Sequence, residues 1–212
     1  MAPITALLDT EPDRRDLILS AAERAFARHG FHGANMQTVA AEAQMSAGNL
    51  YRYFKSKDAI VSGLTARDQA ALASDFHELA SAPDLLAAIG RMLRKHLVDE
   101  PVWRTQLLLE IWAESARNPT IAAMCGAIDH DVDTNLSALI EAAQKASPPL
   151  QGGDPGFVVR VMGTVVAGLF KRRATEPTFD GDAEVAMALG VFRAALTGAL
   201  TPYPLGDTGP CP

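Results

Sequence analysis

The sequence predicts an all-α protein, and three observations carry that prediction. Hydrophobic residues make up 48% of the chain but aromatics only 6%, with alanine abundant, which suits helices packed through small and aliphatic side chains. Apolar residues recur three and four apart along almost every stretch, the period of one helical face. The breaks between stretches carry helix punctuation: Asn35, Ser46 and Ser56 before a start, Gly30 after an end, and Pro83, Pro101 and Pro119 in the gaps.

Residues 1–12 read as a mobile tail. A first helix is expected from Asp13 to His29, burying Leu17, Ile18, Ala21, Ala22, Ala25 and Phe26, with Gly30 just past its end. Arg14 and Arg15 can reach a phosphate there, or simply stand as solvated charges at a helix start. The stretch from Asn35 to Lys57 (NMQTVAAEAQMSAGNLYRYFKSK) then reads as two short helices set at an angle and the opening of a third. Asn35 caps the first, which carries Val39, Ala40 and Ala43 on one face. Gln44-Met45-Ser46 interrupts the pattern, and Ser46 caps the second helix, where Leu50 and Phe54, four apart, turn inward. Gly48, Arg52 and Lys55 then point outward, flanked by Asn49, Tyr51 and Tyr53, before Ser56 caps a helix opening with Lys57. This is a helix-turn-helix whose second helix presents hydrogen-bonding and aromatic side chains to a groove.

The run Leu50-Tyr51-Arg52-Tyr53-Phe54-Lys55-Ser56-Lys57 resembles the signature of the TetR family of transcriptional regulators. The likeness extends back through Gly30-Phe31, Asn35 and Val39 to the helix starting near Arg14. It departs at Asn49, where a small hydroxyl residue is usual, and at Met45, where Val is common. The resemblance implies a three-helix DNA-binding head over 13–58 and a helical ligand-binding and dimerisation domain over 59–201, and residues 202–212 read as a disordered tail. The resemblance also implies a homodimer on double-stranded operator DNA, a repressor released by a small, largely apolar effector, with no cofactor. The DNA-facing candidates are Gln37, Thr38, Ser46, Ala47, Gly48, Asn49, Tyr51, Arg52, Tyr53, Lys55 and Lys57. Backbone N–H groups of Met36, Gln37 and Thr38 would face a phosphate at a helix start, with Lys57 doing the same at the next. Arg52 suits guanine and Asn49 adenine, while Tyr51 and Tyr53 suit the backbone or thymine methyls.

After the head, Ser56 to Ser81 reads as one long helix with Ile60, Leu64, Ala71, Leu72, Phe76 and Leu79 on its apolar face. No Gly or Pro breaks it after Gly63, so it is expected to join the head rigidly to the C-terminal helices and to carry any tilt of them into the head. Further amphipathic helices are expected over 84–97, 102–117 and 120–146. Met92, Trp103, Leu107, Ile111, Trp112, Met124 and Met162 are candidates to line a ligand pocket or to serve as plain core, with Arg104, Glu110 and Arg160 as orienting polar groups. Ser147 to Pro155 is a loop. The helix from Pro155 to Arg173 is apolar nearly all round, which predicts burial on more than one side, with Gly163 and Ala167 allowing close approach. In the last helix Ala186, Gly190, Ala194 and Gly198 fall at four-residue spacing, a row that lets another helix approach closely. Family resemblance implies that these last two helices pair with their symmetry mates.

Charge and motifs narrow the function classes. Residues 1–58 carry seven basic and seven acidic groups, so the net charge of −6 lies beyond them, where 12 basic face 18 acidic residues. Within 35–57 three cations face one acid, and DNA affinity depends on that local balance. No uninterrupted apolar run is long enough to span a membrane, and the start MAPITALLDTEPDRRD lacks the pattern of a signal peptide, so the cytoplasm is the expected compartment. Cys125 and Cys211 give neither a disulfide framework nor zinc spacing. His29 and His32 lack a third ligand, and the acids of Asp129-His130-Asp131-Val132-Asp133 lack a calcium loop's glycine and closing glutamate, so no metal is expected. No Gly-x-Ser-x-Gly, His-Glu-x-x-His or dinucleotide glycine fingerprint occurs, which argues against an enzyme. The alternative is an adaptor or regulator that keeps the helix-turn-helix fold without a small-molecule effector.

Overall fold

The computed structural model describes residues 14–202, so the N-terminal tail, the chain beyond Pro202 and Cys211 with it lie outside the described residues. Among the described residues the structure is helical with no strand: α1 (Arg14–Gly33), α2 (Met36–Glu42), α3 (Ala47–Tyr53), α4 (Lys57–Ser81), α5 (Leu85–Arg94), α6 (Val102–Ser115), α7 (Pro119–Ala146), α8 (Pro155–Thr175) and α9 (Gly181–Leu196). A π-turn, Lys95–Asp99, extends α5, and a 3-10 turn, Pro148–Leu150, sits in the loop before α8. No described helix is long and apolar enough to cross a membrane, and no three metal-ligating side chains of the described residues converge.

Local chemistry sets the helix ends. Gly30 adopts φ 72°, ψ 158°, which breaks α1 one residue after His29 before a further turn closes at Gly33. Asp84, Asp154 and Asp180 each accept an N–H of the first turn of α5, α8 and α9. Gly198, expected inside the last helix, instead follows its end at φ 74°, as the left-handed residue that terminates a helix. A Cβ there would lie 2.8 Å from the Gly152 carbonyl oxygen, so Gly198 packs against the loop before α8 rather than extending the small-residue row.

The chain divides into two compact units. The first takes residues up to Gln69 together with Gln106–Cys125, and the second takes Ala70–Thr105 with Gly126 onward. That division departs from the expected boundary at 58/59, because Leu107 of α6 and Ile121 of α7 are buried in the cluster formed by Ile18, Phe26, Val39, Leu50, Phe54 and Ile60. Leu17, expected in the buried stripe of α1, is 44% exposed, and Leu19 is buried in its stead. The second unit is built around Phe76, Leu93, Leu97, Ile140, Met162, Val185 and Phe192. Only one face of α8 is covered within the chain: Val158, Val159, Met162 and Leu169 are buried, while Gly163, Ala167 and Gly168 are exposed. Among the described residues, the expected burial on more than one side is therefore absent.

Candidate nucleic-acid interface

The helix-turn-helix is fixed by reciprocal caps and two inward side chains. Asn35 Oδ1 accepts the Thr38 N–H at 2.9 Å while Thr38 Oγ1 accepts the Asn35 N–H at 3.4 Å, a capping box that starts α2. The turn to α3 passes through Gln44 at φ 54°, a left-handed conformation costly for a side-chain-bearing residue, and closes with Met45 N–H donating to the Ala40 carbonyl at 2.9 Å. Ser46 Oγ then accepts the Asn49 N–H at 3.2 Å and opens α3. Leu50 and Phe54 are both buried, Phe54 at 2% exposure, and they set the rotation of α3. The opposite side carries Gly48, Tyr51 at 44% exposure, Arg52 and then Lys55. Ala47, Asn49 and Tyr53 are half-buried at the flanks, and Gln37 and Ser46 are exposed. Of the DNA-facing candidates, Gln37, Ser46, Gly48, Tyr51, Arg52 and Lys55 are thus exposed. Thr38 differs, since its amide is already engaged by Asn35.

Most head cations are tied up internally. Arg24 Nε and Arg28 Nη1 contact the two oxygens of Glu42 at 2.8 and 2.7 Å, and the Arg24 hydrogen bond holds the Glu42 carboxyl below its usual pKa. Arg15 donates to the Tyr53 carbonyl at 3.2 Å and lies 4.5 Å from the centre of the Phe54 ring. Lys57 was expected to face a phosphate, but its ammonium donates to the Phe31 carbonyl and sits 3.9 Å from the centre of that ring. Burial lowers the Lys57 pKa, while Glu114, Asp58 and Glu110 act to raise it. Arg52 and Lys55, by contrast, are exposed and have no ion pair among the described residues.

The expected pocket residues divide between the units. Leu107, Ile111 and Met124 pack on the core of the first unit, which also contains Trp112. Glu110 accepts the N–H of Phe31, and its carboxylate lies 3.7 Å from where a Cβ on Gly30 would stand. Met92 and Met162 belong to the core of the second unit, which also holds Trp103 and Arg104, the latter 3.4 Å from Glu100. Of the expected dimer residues, Gly163, Ala167, Ala186 and Gly190 are exposed and Ala194 is half-exposed. A Cβ at Gly163 or Gly190 would meet nothing within 4 Å.

Sequence reasoning missed the inward turn of Lys57 and the hold of Glu110 on Phe31. The second joins residues 79 apart, and no local pattern signals it. The Arg24–Glu42 and Arg28–Glu42 pairs are also non-local, although Arg24 and Arg28 share one helix face at four-residue spacing.

The first unit thus carries a capped helix-turn-helix with one exposed cation, Arg52, on its second helix and another, Lys55, just past its end. Residues 18–64 match the family described as bacterial regulatory proteins, tetR family. HTH-type transcriptional regulator UidR of Escherichia coli (strain K12) is 33% identical over 110 residues, 52% of this chain and 56% of UidR, so the match spans little more than half of that relative. The HTH-type nicotine-responsive transcriptional repressor HdnoR of Paenarthrobacter nicotinovorans is 26% identical over 138 residues, 63% of this chain and 70% of HdnoR. The structure of Salmonella enterica GusR superposes with a TM-score of 0.74 at 25% identity, covering 90% of this chain and 99% of that one.

Proposed function

We propose that this chain is a dimeric transcriptional repressor that reads operator DNA through α3 and is released by a small, largely apolar effector. The observation that carries the reading is the segregation of head cations: Arg15, Arg24, Arg28 and Lys57 are engaged in contacts within the chain, whereas Arg52 is left on the exposed face of α3, whose rotation Leu50 and Phe54 fix, and Lys55 is left exposed just past its end. Arg52, Asn49 and the exposed ring of Tyr51 would meet base edges, and Lys55, Ser46, Gly48 and Gln37 would meet phosphates. Dimerisation would use the exposed small residues of α8 and α9. Met92, Trp103, Arg104 and Met162 of the second unit would take the effector, a role in keeping with the relative HdnoR being nicotine-responsive. Release would act through α4, which is continuous from Lys57 to Ser81.

The test is fluorescence anisotropy on duplexes covering the DNA that flanks its own gene, over a range of salt. Arg52→Ala is expected to cost about 1–3 kcal/mol, concentrated at particular base pairs. Lys55→Ala is expected to weaken all sequences alike and to flatten the log-affinity against log-salt slope by about one. Wild type that binds every duplex equally and weakly would overturn operator reading and leave an adaptor.

A further inference from the structure

A second cluster of charges lies in the other unit, where α4, the π-turn, the approach to α6 and α8 supply side chains to one place. His96, in the π-turn, presents Nε2 to Asp75 Oδ2 of α4 at 2.9 Å and Nδ1 to Glu100 Oε1 at 3.0 Å. The other oxygen of Asp75 accepts from Lys95 at 2.6 Å, the other oxygen of Glu100 lies 3.4 Å from Arg104, and Arg173 of α8 donates to the Glu100 carbonyl at 3.1 Å. Asp75 is only 5% exposed.

An ionised carboxylate only accepts hydrogen bonds, so a ring nitrogen facing one must carry a proton. With cations on both carboxylates, each is held ionised, and only the imidazolium can satisfy the two together. A neutral ring would turn a lone pair toward a carboxylate oxygen at about hydrogen-bond distance, and buried Asp75 has little access to water to replace the lost donor. The backbone here is a π-turn, an energetically poor form of helix that recurs at functional positions.

We propose that His96 is a proton-operated clasp: as imidazolium it ties the distal part of α4 to the chain entering α6, and on losing its proton it lets the two part. Nothing in this depends on the DNA-binding reading. The groups facing the ring are Asp75 from α4 and Glu100 ahead of α6, with Lys95, Arg104 and Arg173 facing those in turn. The hydrogen bond to Glu100 raises the His96 pKa above the ordinary 6.5, burial opposes it, and the bond to Asp75 adds to the rise. Burial pushes both carboxyls up, but hydrogen bonds from Lys95 and His96 to Asp75, and from His96 to Glu100, bring them below their usual range. A raised histidine pKa contributes stability that is complete below 6.5 and is lost as pH rises through the folded value. The two lowered carboxyls contribute stability that is lost only in acid, so the clasp is complete at mildly acidic pH and opens as pH rises through the folded His96 value above 6.5.

The experiment is imidazole 15N NMR on the full-length chain, with the His96 signals assigned by their loss in His96→Gln or, should that variant fail to fold, by through-bond correlation. Both ring nitrogens are expected to be protonated in mild acid, with a midpoint above 6.5. A ring that is neutral below pH 6.5, or a midpoint at or below 6.5, overturns the clasp. Amide exchange over residues 95–105, corrected for intrinsic rates, gives the second readout. Above the His96 midpoint, opening in wild type is expected to rise by up to about tenfold per pH unit, the limit for release of one proton. Opening that stays flat across that range contradicts the proposal.

Discussion

The first unit closes on itself, and the second does not. In the head, even the glycine within α4 is accounted for: a Cβ on Gly63 would stand 2.9 Å from Leu19 Cδ2 and 3.1 Å from Phe54 Cε1, so the helix approaches α1 as closely as a missing side chain allows. On α8 and α9, Gly163, Gly168 and Gly190 have nothing within 4 Å, beside Met187 at 48% exposure. A glycine in a helix interior costs about 0.5–1 kcal/mol relative to alanine, and among the described residues no close contact explains these three. The contrast teaches where to look for the compensation. Close approach explains Gly63 from inside the molecule, and for the outer row it points to a second copy of the chain.

Substitutions can break or sharpen that contrast, and the largest effect is expected in the closed unit. Phe54→Ala removes a buried ring that both packs the head core and lies beneath Arg15, and should cost about 3–5 kcal/mol. A chemical-denaturation midpoint for the head signal that moved less than that of a surface variant would contradict a head held by this core.

A pair of glycine variants separates fold from assembly in the second unit. Gly153 lies in the loop before α8, where an added Cβ would stand 2.0 Å from the Ala195 carbonyl oxygen, so Gly153→Ala should destabilise the unit itself by about 1–3 kcal/mol. Gly190→Leu should leave the isolated chain's fold intact and instead weaken dimerisation by about 1–3 kcal/mol. Thermal melts and dilution series are expected to rank the two oppositely, and the same ranking in both assays would sink the distinction.

Glu110→Ala is expected to act on the same scale as the glycine variants. It leaves the N–H of buried Phe31 without its carboxylate partner, at about 1–3 kcal/mol, and should lower head stability without changing base preference. Glu110→Gln keeps an acceptor and should recover most of the loss. Altered effector response at unchanged head stability would return Glu110 to a ligand-binding role.

The features legible in the sequence are those that neighbouring residues decide. The caps at Asn35 and Ser46, the inward pair Leu50 and Phe54, and the break at Gly30 all depend on residues within about one helical turn, and each stands where the pattern placed it. Gly198 shows the limit of periodicity: four-residue spacing continued past the true helix end, and only the left-handed conformation identifies it as a terminator. The exposed α3 surface was legible for the same local reason. Lys57 and Glu110 were not, because the N–H and carbonyl of Phe31 that they grip are brought to them by folding rather than by sequence position. Likewise, the spacing of His96 and Glu100 is visible in the chain, but the carboxylate of Asp75 that completes the bridge comes from 21 residues away.

The most direct test of a self-contained reading head on a unit completed by its twin is sedimentation velocity of the full-length chain, alone and with a labelled duplex from beside its own gene. The expected result is a dimer in the free protein at micromolar concentration and two chains on each bound duplex, with Gly190→Leu shifting the free protein toward monomer. A wild-type monomer at that concentration, or one chain per duplex, would contradict the account.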